Sequence, residues 1–172
     1  MLRRTPKAVR DLVSPGERVL AWGTIRSATG GYAVATDQAL YLPEMIRLPW
    51  EQITKATWGD DFVLVVEGRL VAPGEARRDG HAAPVGPDRS WRVAIDDPHA
   101  LPTVVYERVT STIVVSERVV LQGDRGARVV GRRAGDGVRW TVTFDPGLDA
   151  EDPELRRRAN EALADLRATL GV

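Results

Sequence analysis

The chain has 172 residues, with 24 basic and 24 acidic side chains. It is therefore long enough for a hydrophobic core of its own, and it has no net charge that would favour nucleic acid or an anionic membrane. It contains no cysteine, which excludes disulfides, thiol nucleophiles, iron–sulfur clusters and cysteine-bound zinc. No apolar run approaches the roughly 20 residues that span a bilayer, and no secretory leader follows the basic start. We therefore expect a single cytoplasmic domain over residues 1–172 with no integral membrane segment.

A short helix is predicted over residues 6–13, and Ser14-Pro15-Gly16 ends it. Alternating apolar residues between turn signals then predict a series of mostly antiparallel strands. The predicted strands are 18–26, 32–36, 39–42, 45–48, 53–58, 62–67, 91–95, 117–121, 127–133 and 138–144.

Residues 68–90 interrupt this series, because proline and glycine punctuate a polar stretch with no periodicity. A segment of this kind predicts a long mobile loop between two strands of a hairpin.

The segment after Asp96-Asp97-Pro98 is ambiguous. Leu101, Val105 and Val109 are spaced four residues apart, which favours a helix from Leu101 to about Thr112. The same stretch is rich in β-branched residues, which favours a strand. We predict the helix and keep the strand as the alternative.

A third helix is predicted over residues 152–170. It begins with an N-cap, a proline and an acid at Asp152-Pro153-Glu154, and Gly171 ends it. Its leucines and alanines form one apolar stripe. Many short strands followed by one amphipathic helix predict a mainly β fold of the α+β type, in which the C-terminal helix covers an antiparallel barrel or sandwich.

Three segments carry a resemblance to a known family. Gly16–Ala21 reads GERVLA, Ala35–Tyr41 reads ATDQALY, and Leu48–Ile53 reads LPWEQI. Together they resemble bacterial pleckstrin-homology-like (PH-like) domains over about residues 16–67. The resemblance implies a partly open, seven-stranded antiparallel barrel capped by a C-terminal helix.

Residues that could support catalysis or metal binding are few. His81 and His99 are the only histidines, and no nucleophile elbow, Walker A or dinucleotide-binding pattern is present. The acidic run over 145–154 lacks the spacing of a calcium loop and fits the start of a helix better. Asp96-Asp97-His99 is a weak metal candidate, because residues so close in sequence rarely converge on one ion. We predict no catalytic residue, no cofactor and no metal site.

Basic residues form three clusters, which acidic residues nearby make typical of solvated surfaces. The clusters comprise Arg3, Arg4, Lys7 and Arg10; Arg125, Arg128, Arg132 and Arg133; and Arg156, Arg157 and Arg158. Because the tryptophans follow strand patterns, exposed stacking residues are missing and nucleic acid is not an expected partner. The segment 25–32, where related eukaryotic domains carry a basic lipid-binding motif, offers one arginine, so phosphoinositide binding is not expected.

Three functional hypotheses follow, in decreasing order of preference. The first is a non-enzymatic module that binds a protein partner, through a strand edge or beside the C-terminal helix. The second is binding of a small ligand or an anionic lipid at the open end of the barrel, near Arg26, Thr29 and Arg47, and it includes peripheral membrane contact. The third is an unrecognised enzyme, which a cleft with shifted carboxylate pKa values would support.

Overall fold

The computed structural model describes residues 4–68 and 89–171. They divide into two compact units, one of residues 4–68 and 89–111 and one of residues 112–171. Each unit has its own sheet and its own hydrophobic cluster.

The first unit is a seven-stranded antiparallel sheet with two α-helices. The strand order is β4-β3-β2-β1-β7-β6-β5, and a 3₁₀ turn at Trp50–Gln52 precedes β5. The elements are α1 (Lys7–Asp11), β1 (Val19–Ile25), β2 (Tyr32–Thr36), β3 (Ala39–Leu42), β4 (Ile46–Pro49), β5 (Ile53–Trp58), β6 (Phe62–Glu67), β7 (Arg89–Asp97) and α2 (Leu101–Ser111).

All seven strands of this sheet contribute to one hydrophobic cluster, and α2 adds the buried Leu101 and Val105. The helix contacts β5, at one edge of the sheet, as well as the central β1 and β2. A sheet whose edge and centre reach the same helix must curl around it. Curling also follows from the right-handed twist of the strands.

The opposite face of this sheet is covered in part by α1. Val9 of α1 is fully buried and packs with Val34, Ala39 and Tyr41. The short helix therefore lies over β2 and β3, close to the turns that end them.

The second unit is a three-stranded antiparallel sheet followed by a long helix. Its elements are β8 (Ile113–Gln122), β9 (Arg125–Ala134), β10 (Gly137–Phe144) and α3 (Pro153–Leu170), with β9 at the centre of the sheet. The apolar stripe of α3 buries Leu155, Ala159 and Leu163 against Trp140 and Val129.

The ends of α3 match the sequence prediction. The Asp152 side chain accepts hydrogen bonds from the backbone N–H groups of Glu154 and Leu155, and Pro153 opens the helix. Gly171 ends it in the left-handed conformation, with φ of 70°.

The mainly antiparallel β fold is confirmed, as are the predicted strands and the helix that starts at Leu101. Strand β8 is longer than the predicted 117–121, because the β-branched residues from Ile113 onward continue the strand once α2 has ended at Ser111. Glu67 pairs with Arg89, so β6 and β7 form the predicted hairpin, and β7 begins at Arg89, inside the predicted loop 68–90. Residues 69–88 of that loop lie outside the described residues.

The helices have different partners from those the sequence suggests. The helix in the core of the seven-stranded sheet is α2, whereas the buried residues of α3 belong to the cluster of the three-stranded sheet. The PH-like identity and the single-domain organisation stay predictions.

Candidate functional site

A cavity of about 650 Å³ lies at one end of the seven-stranded sheet. Three segments form its walls: the end of α1 with the residues that follow it, the β1–β2 turn and the β3–β4 turn. The β1–β2 turn needs glycine, because Gly30 and Gly31 have φ of 68° and 141°. The sequence Ser27-Ala28-Thr29-Gly30-Gly31 therefore fixes the position of one wall.

The walls of the cavity are mostly apolar. Ile25 and Leu42 are buried in the main cluster, and Leu12 and Met45 are exposed. The cavity is also lined by Arg47, the acidic Asp11 and Glu44, and the hydroxyl-bearing residues Ser14, Ser27, Thr29, Tyr32 and Tyr41. Apolar surface combined with polar groups that can orient a ligand is typical of small-molecule sites.

An ion pair between a buried acid and a partly exposed arginine supports the wall that carries Arg47. The Glu17 side chain is 3% exposed, and Arg47 donates to its Oε1 from Nε at 2.9 Å and from Nη2 at 2.7 Å. The Thr36 hydroxyl donates to Oε2 at 2.5 Å. The Tyr41 hydroxyl lies 3.0 Å from Oε1. The hydrogen bonds of Glu17 therefore link β4, which carries Arg47, to the segment before β1.

The electrostatics of this pair favour its charged form. Burial of Glu17 raises the pKa of its carboxyl, but the hydrogen bonds from Thr36, Arg47 and Tyr41 outweigh burial and leave the pKa below its ordinary value. For Arg47, burial lowers the pKa of the guanidinium, and the contacts with Glu17 and Tyr41 raise it by more. Both groups therefore stay charged near neutral pH.

The β3–β4 turn is strained where it borders the cavity. Glu44 and Met45 both have φ of 61°, a region that costs non-glycine residues energy. Turns with two such residues normally use Asn-Gly or Asp-Gly. The side chain of Met45 is 92% exposed at the rim. Because strained backbone clusters at functional sites, this turn belongs to the candidate site.

The structure places the three predicted site residues differently. Thr29 and Arg47 line the cavity, whereas Arg26 is not among its lining residues. Arg26 donates to Asp96 at 2.5 Å and to Asp61 at 2.9 Å. These two carboxylates raise the pKa of Arg26 and engage its Nε and Nη1.

Sequence reasoning missed Glu17, Tyr32, Tyr41 and Met45 as contributors to this region. Glu17 had a signal, since an acid at the start of an apolar strand needs a partner wherever the strand is buried. The turn at Met45 had no glycine or asparagine to mark it.

Of the two histidines, His99 lies in the described part of the chain. His81 lies outside the described residues. His99 Nε2 lies 2.7 Å from Asp97 Oδ2. Within residues 4–68 and 89–171, no group of three or more His, Asp or Glu side chains is arranged to hold a metal ion.

Two arginines near the start of α3 pair with nearby acidic residues, whereas Arg158 donates to the backbone carbonyl of Leu121. Arg156 pairs with Glu151, and Arg157 pairs with Glu154 and Glu161. In the second basic cluster, Arg132 departs from the predicted solvated surface. It is 3% exposed, its Nη1 donates to Thr112 Oγ1 at 2.7 Å, and burial lowers its pKa.

None of the helices in the described part of the chain is both long and apolar enough to cross a membrane. A comparison with protein-family models, curated proteins and solved structures finds no match to this chain. The cavity beside Arg47 is therefore a candidate site on its geometry alone.

Proposed function

We propose that the first unit is a non-enzymatic binding module whose cavity takes a neutral, amphipathic small molecule. The observation that carries the proposal is the cavity of about 650 Å³, which falls within the range of about 300–1,000 Å³ typical of ligand sites. The apolar body of the ligand would contact Ile25, Leu42 and Met45. Its polar group would meet the hydroxyls of Thr29 and Tyr32.

The charges around the cavity favour a neutral ligand over an anionic lipid. Arg47 is the arginine that lines it, and two of its donor nitrogens already serve Glu17. Asp11 and Glu44 add negative charge at the rim, and Lys7 balances Asp11 through an ion pair of 2.9 Å. A phosphate group is typically bound by two parallel N–H donors of an arginine, and Nε and Nη2 of Arg47 already donate to Glu17.

A binding role also suits the state of the buried acid. A general base works best with a pKa near the working pH, whereas the pKa of Glu17 is lowered and its oxygens are held by hydrogen bonds. The group supports the wall of the cavity instead of exchanging protons with a substrate.

Protein contact, the first hypothesis from the sequence, is a second candidate function. The observation in its favour is β8, an edge strand of the second unit with exposed Ile113, Val114 and Val120. Exposed apolar strand edges are common peptide-binding surfaces.

The cavity hypothesis is tested with Nile red, a neutral apolar dye whose fluorescence rises in an apolar site. We expect saturable binding to the full chain. Thr29→Trp fills the cavity from its rim and should weaken dye binding at least about tenfold, or about 1.4 kcal/mol. Ala28→Trp is the matched control, because Ala28 lies in the same exposed turn but is not among the lining residues.

Equal binding by both variants would contradict the proposal. A second arm uses sedimentation with vesicles of phosphatidylglycerol or phosphatidylcholine. Binding to the anionic vesicles that Thr29→Trp abolishes would replace the neutral ligand with an anionic lipid.

A further inference from the structure

Strand β8 is a long edge strand with apolar side chains in solvent. It has ten residues, pairs with β9 along one side, and has no neighbour among the described strands along the other. Ile113, Val114 and Val120 are 38%, 43% and 55% exposed. An edge of this kind offers unpaired backbone groups to another strand.

The sequence of β8 is nearly symmetric about its centre. Glu117 is flanked by Ser116 and Arg118, and these by valine pairs on both sides, in the order Val114-Val115-Ser116-Glu117-Arg118-Val119-Val120. The ladder with β9 is regular from Val115 to Val120, and its irregularities lie outside that stretch. Beyond Val120 the backbone carbonyl of Leu121 already has a donor, because Arg158 donates to it.

We propose that β8 pairs with β8 of a second copy of this chain, antiparallel and with Glu117 opposite itself. A two-fold axis normal to the sheet then brings Val115 opposite Val119, and Val114 opposite Val120. In this register odd-numbered residues lie opposite odd-numbered residues, and even-numbered opposite even-numbered. The side of the sheet that carries α3 is therefore on the same face in both copies. The two three-stranded sheets become one sheet of six strands.

The partner is a second copy because the symmetry of the strand makes its apolar residues match their own image. An antiparallel edge that repeats valine at equal distances from its centre buries valine against valine on both faces. This interaction is independent of the cavity and goes beyond the proposed ligand.

The two charges at the centre set the strength of the pairing. Glu117 opposite Glu117 opposes it, because like charges directly across a ladder repel. Arg118 does not relieve this repulsion, since it is held by Asp145 at 2.6 Å and by the carbonyl of Asp124 at 2.8 Å. We therefore expect a weak dimer that removal of the central acid strengthens.

Sedimentation equilibrium of the full chain measures the dimer constant. Glu117→Thr should lower the Kd about fivefold, the equivalent of about 1 kcal/mol. Val120→Lys should raise the Kd about tenfold or more. Thr143→Lys is the matched control, because Thr143 is exposed on β10 at the opposite edge of the same sheet. The dimer Kd of this variant should equal that of the unmodified chain.

The register is tested by introduced cysteines, which are informative because the chain has none. Under mild oxidation, Glu117→Cys should give a disulfide-linked dimer. Val114→Cys and Val120→Cys should cross-link with each other when mixed but not with themselves, because the six-residue offset separates identical positions by about 20 Å. Thr143→Cys is the control, because any cross-linking of this variant measures disulfides that form through random collisions.

Three results would overturn the proposal. One is a chain that stays monomeric even as Glu117→Thr. Another is a dimer that Val120→Lys leaves intact. The third is cross-linking of Glu117→Cys that does not exceed that of Thr143→Cys.

Discussion

Arg47 donates two hydrogen bonds to a single oxygen of Glu17, at 2.9 Å from Nε and 2.7 Å from Nη2. The acceptor is almost fully buried, whereas the Arg47 side chain is 35% exposed beside the cavity. The pair therefore links an interior carboxylate to the surface where we place a ligand.

Removing Arg47 should destabilise the fold. Arg47→Met leaves the buried carboxylate without its cation. We expect a loss of about 1–3 kcal/mol in the free energy of unfolding, less than for a fully buried pair because solvent reaches Arg47. Urea denaturation measures the loss. Adding Glu17→Gln should recover part of it, since the unpaired charge is then gone.

Lys7→Met is the control for this cycle. It breaks the Lys7–Asp11 pair, whose side chains are 83% and 58% exposed, and should change stability by less than about 0.5 kcal/mol. Two variants with equal losses would show that the Glu17 network contributes no more than a surface contact.

The same network predicts a pH dependence. The pKa of Glu17 is lower in the folded protein than in the unfolded chain, where a glutamate titrates near about 4.3. The stabilisation is therefore complete above that value and is lost as the pH falls through the folded-state pKa. Asp145 and Glu154 also have lowered pKa values, so the difference between the unmodified chain and Glu17→Gln isolates the contribution of Glu17.

Urea midpoints measured from pH 7 to pH 2 give this difference. The advantage of the unmodified chain over Glu17→Gln should shrink below about pH 4. A difference that stays constant across the range would contradict the assignment of Glu17 as a stabilising carboxylate.

The β3–β4 turn should be more stable with residues suited to its backbone. Glu44→Asn combined with Met45→Gly relieves two positive φ angles and should raise the free energy of unfolding by about 1 kcal/mol or more. The same variant removes the Met45 side chain from the rim, so Nile red should bind more weakly. A variant that loses both stability and binding would show instead that the turn is not strained.

Gly126 holds the start of β9 against β8. An added methyl group would lie 1.9 Å from the carbonyl oxygen of Val119, and the backbone N–H of Gly126 donates to Asp145 at 2.7 Å. Gly126→Ala should therefore cost at least about 2 kcal/mol in thermal or urea unfolding.

Gly137→Ala tests whether this cost is specific. The methyl group there would lie 3.9 Å from its nearest contact, so stability should stay within about 0.5 kcal/mol. Equal tolerance at both glycines would contradict the close β8–β9 approach.

Local patterns predicted most of the strands, because the alternation of apolar and polar residues and the turn residues that bound a strand depend only on residues close together in the sequence. The ends of α3 were predictable for the same reason, since Asp152, Pro153 and Gly171 act on adjacent backbone groups. The packing partners were not predictable. The four-residue spacing of α2 marks an apolar face, but it does not identify the sheet that buries it.

The candidate site was predicted only in part, for a similar reason. Thr29 and Arg47 come together at the cavity, whereas Arg26 is drawn away by acids 35 and 70 positions along the chain. Local sequence patterns do not predict ion pairs between positions so far apart in the chain. The left-handed Glu44-Met45 turn was hidden because neither residue type favours that conformation.

The most direct test of the binding site uses the methyl group of Met45. The chain has two methionines, so labelling their methyl groups with ¹³C gives two NMR signals, and Met45→Leu assigns them. On addition of Nile red, the Met45 signal should shift saturably with the affinity measured by fluorescence. An unchanged Met45 signal while the dye is bound would place the ligand elsewhere and contradict the cavity as the binding site.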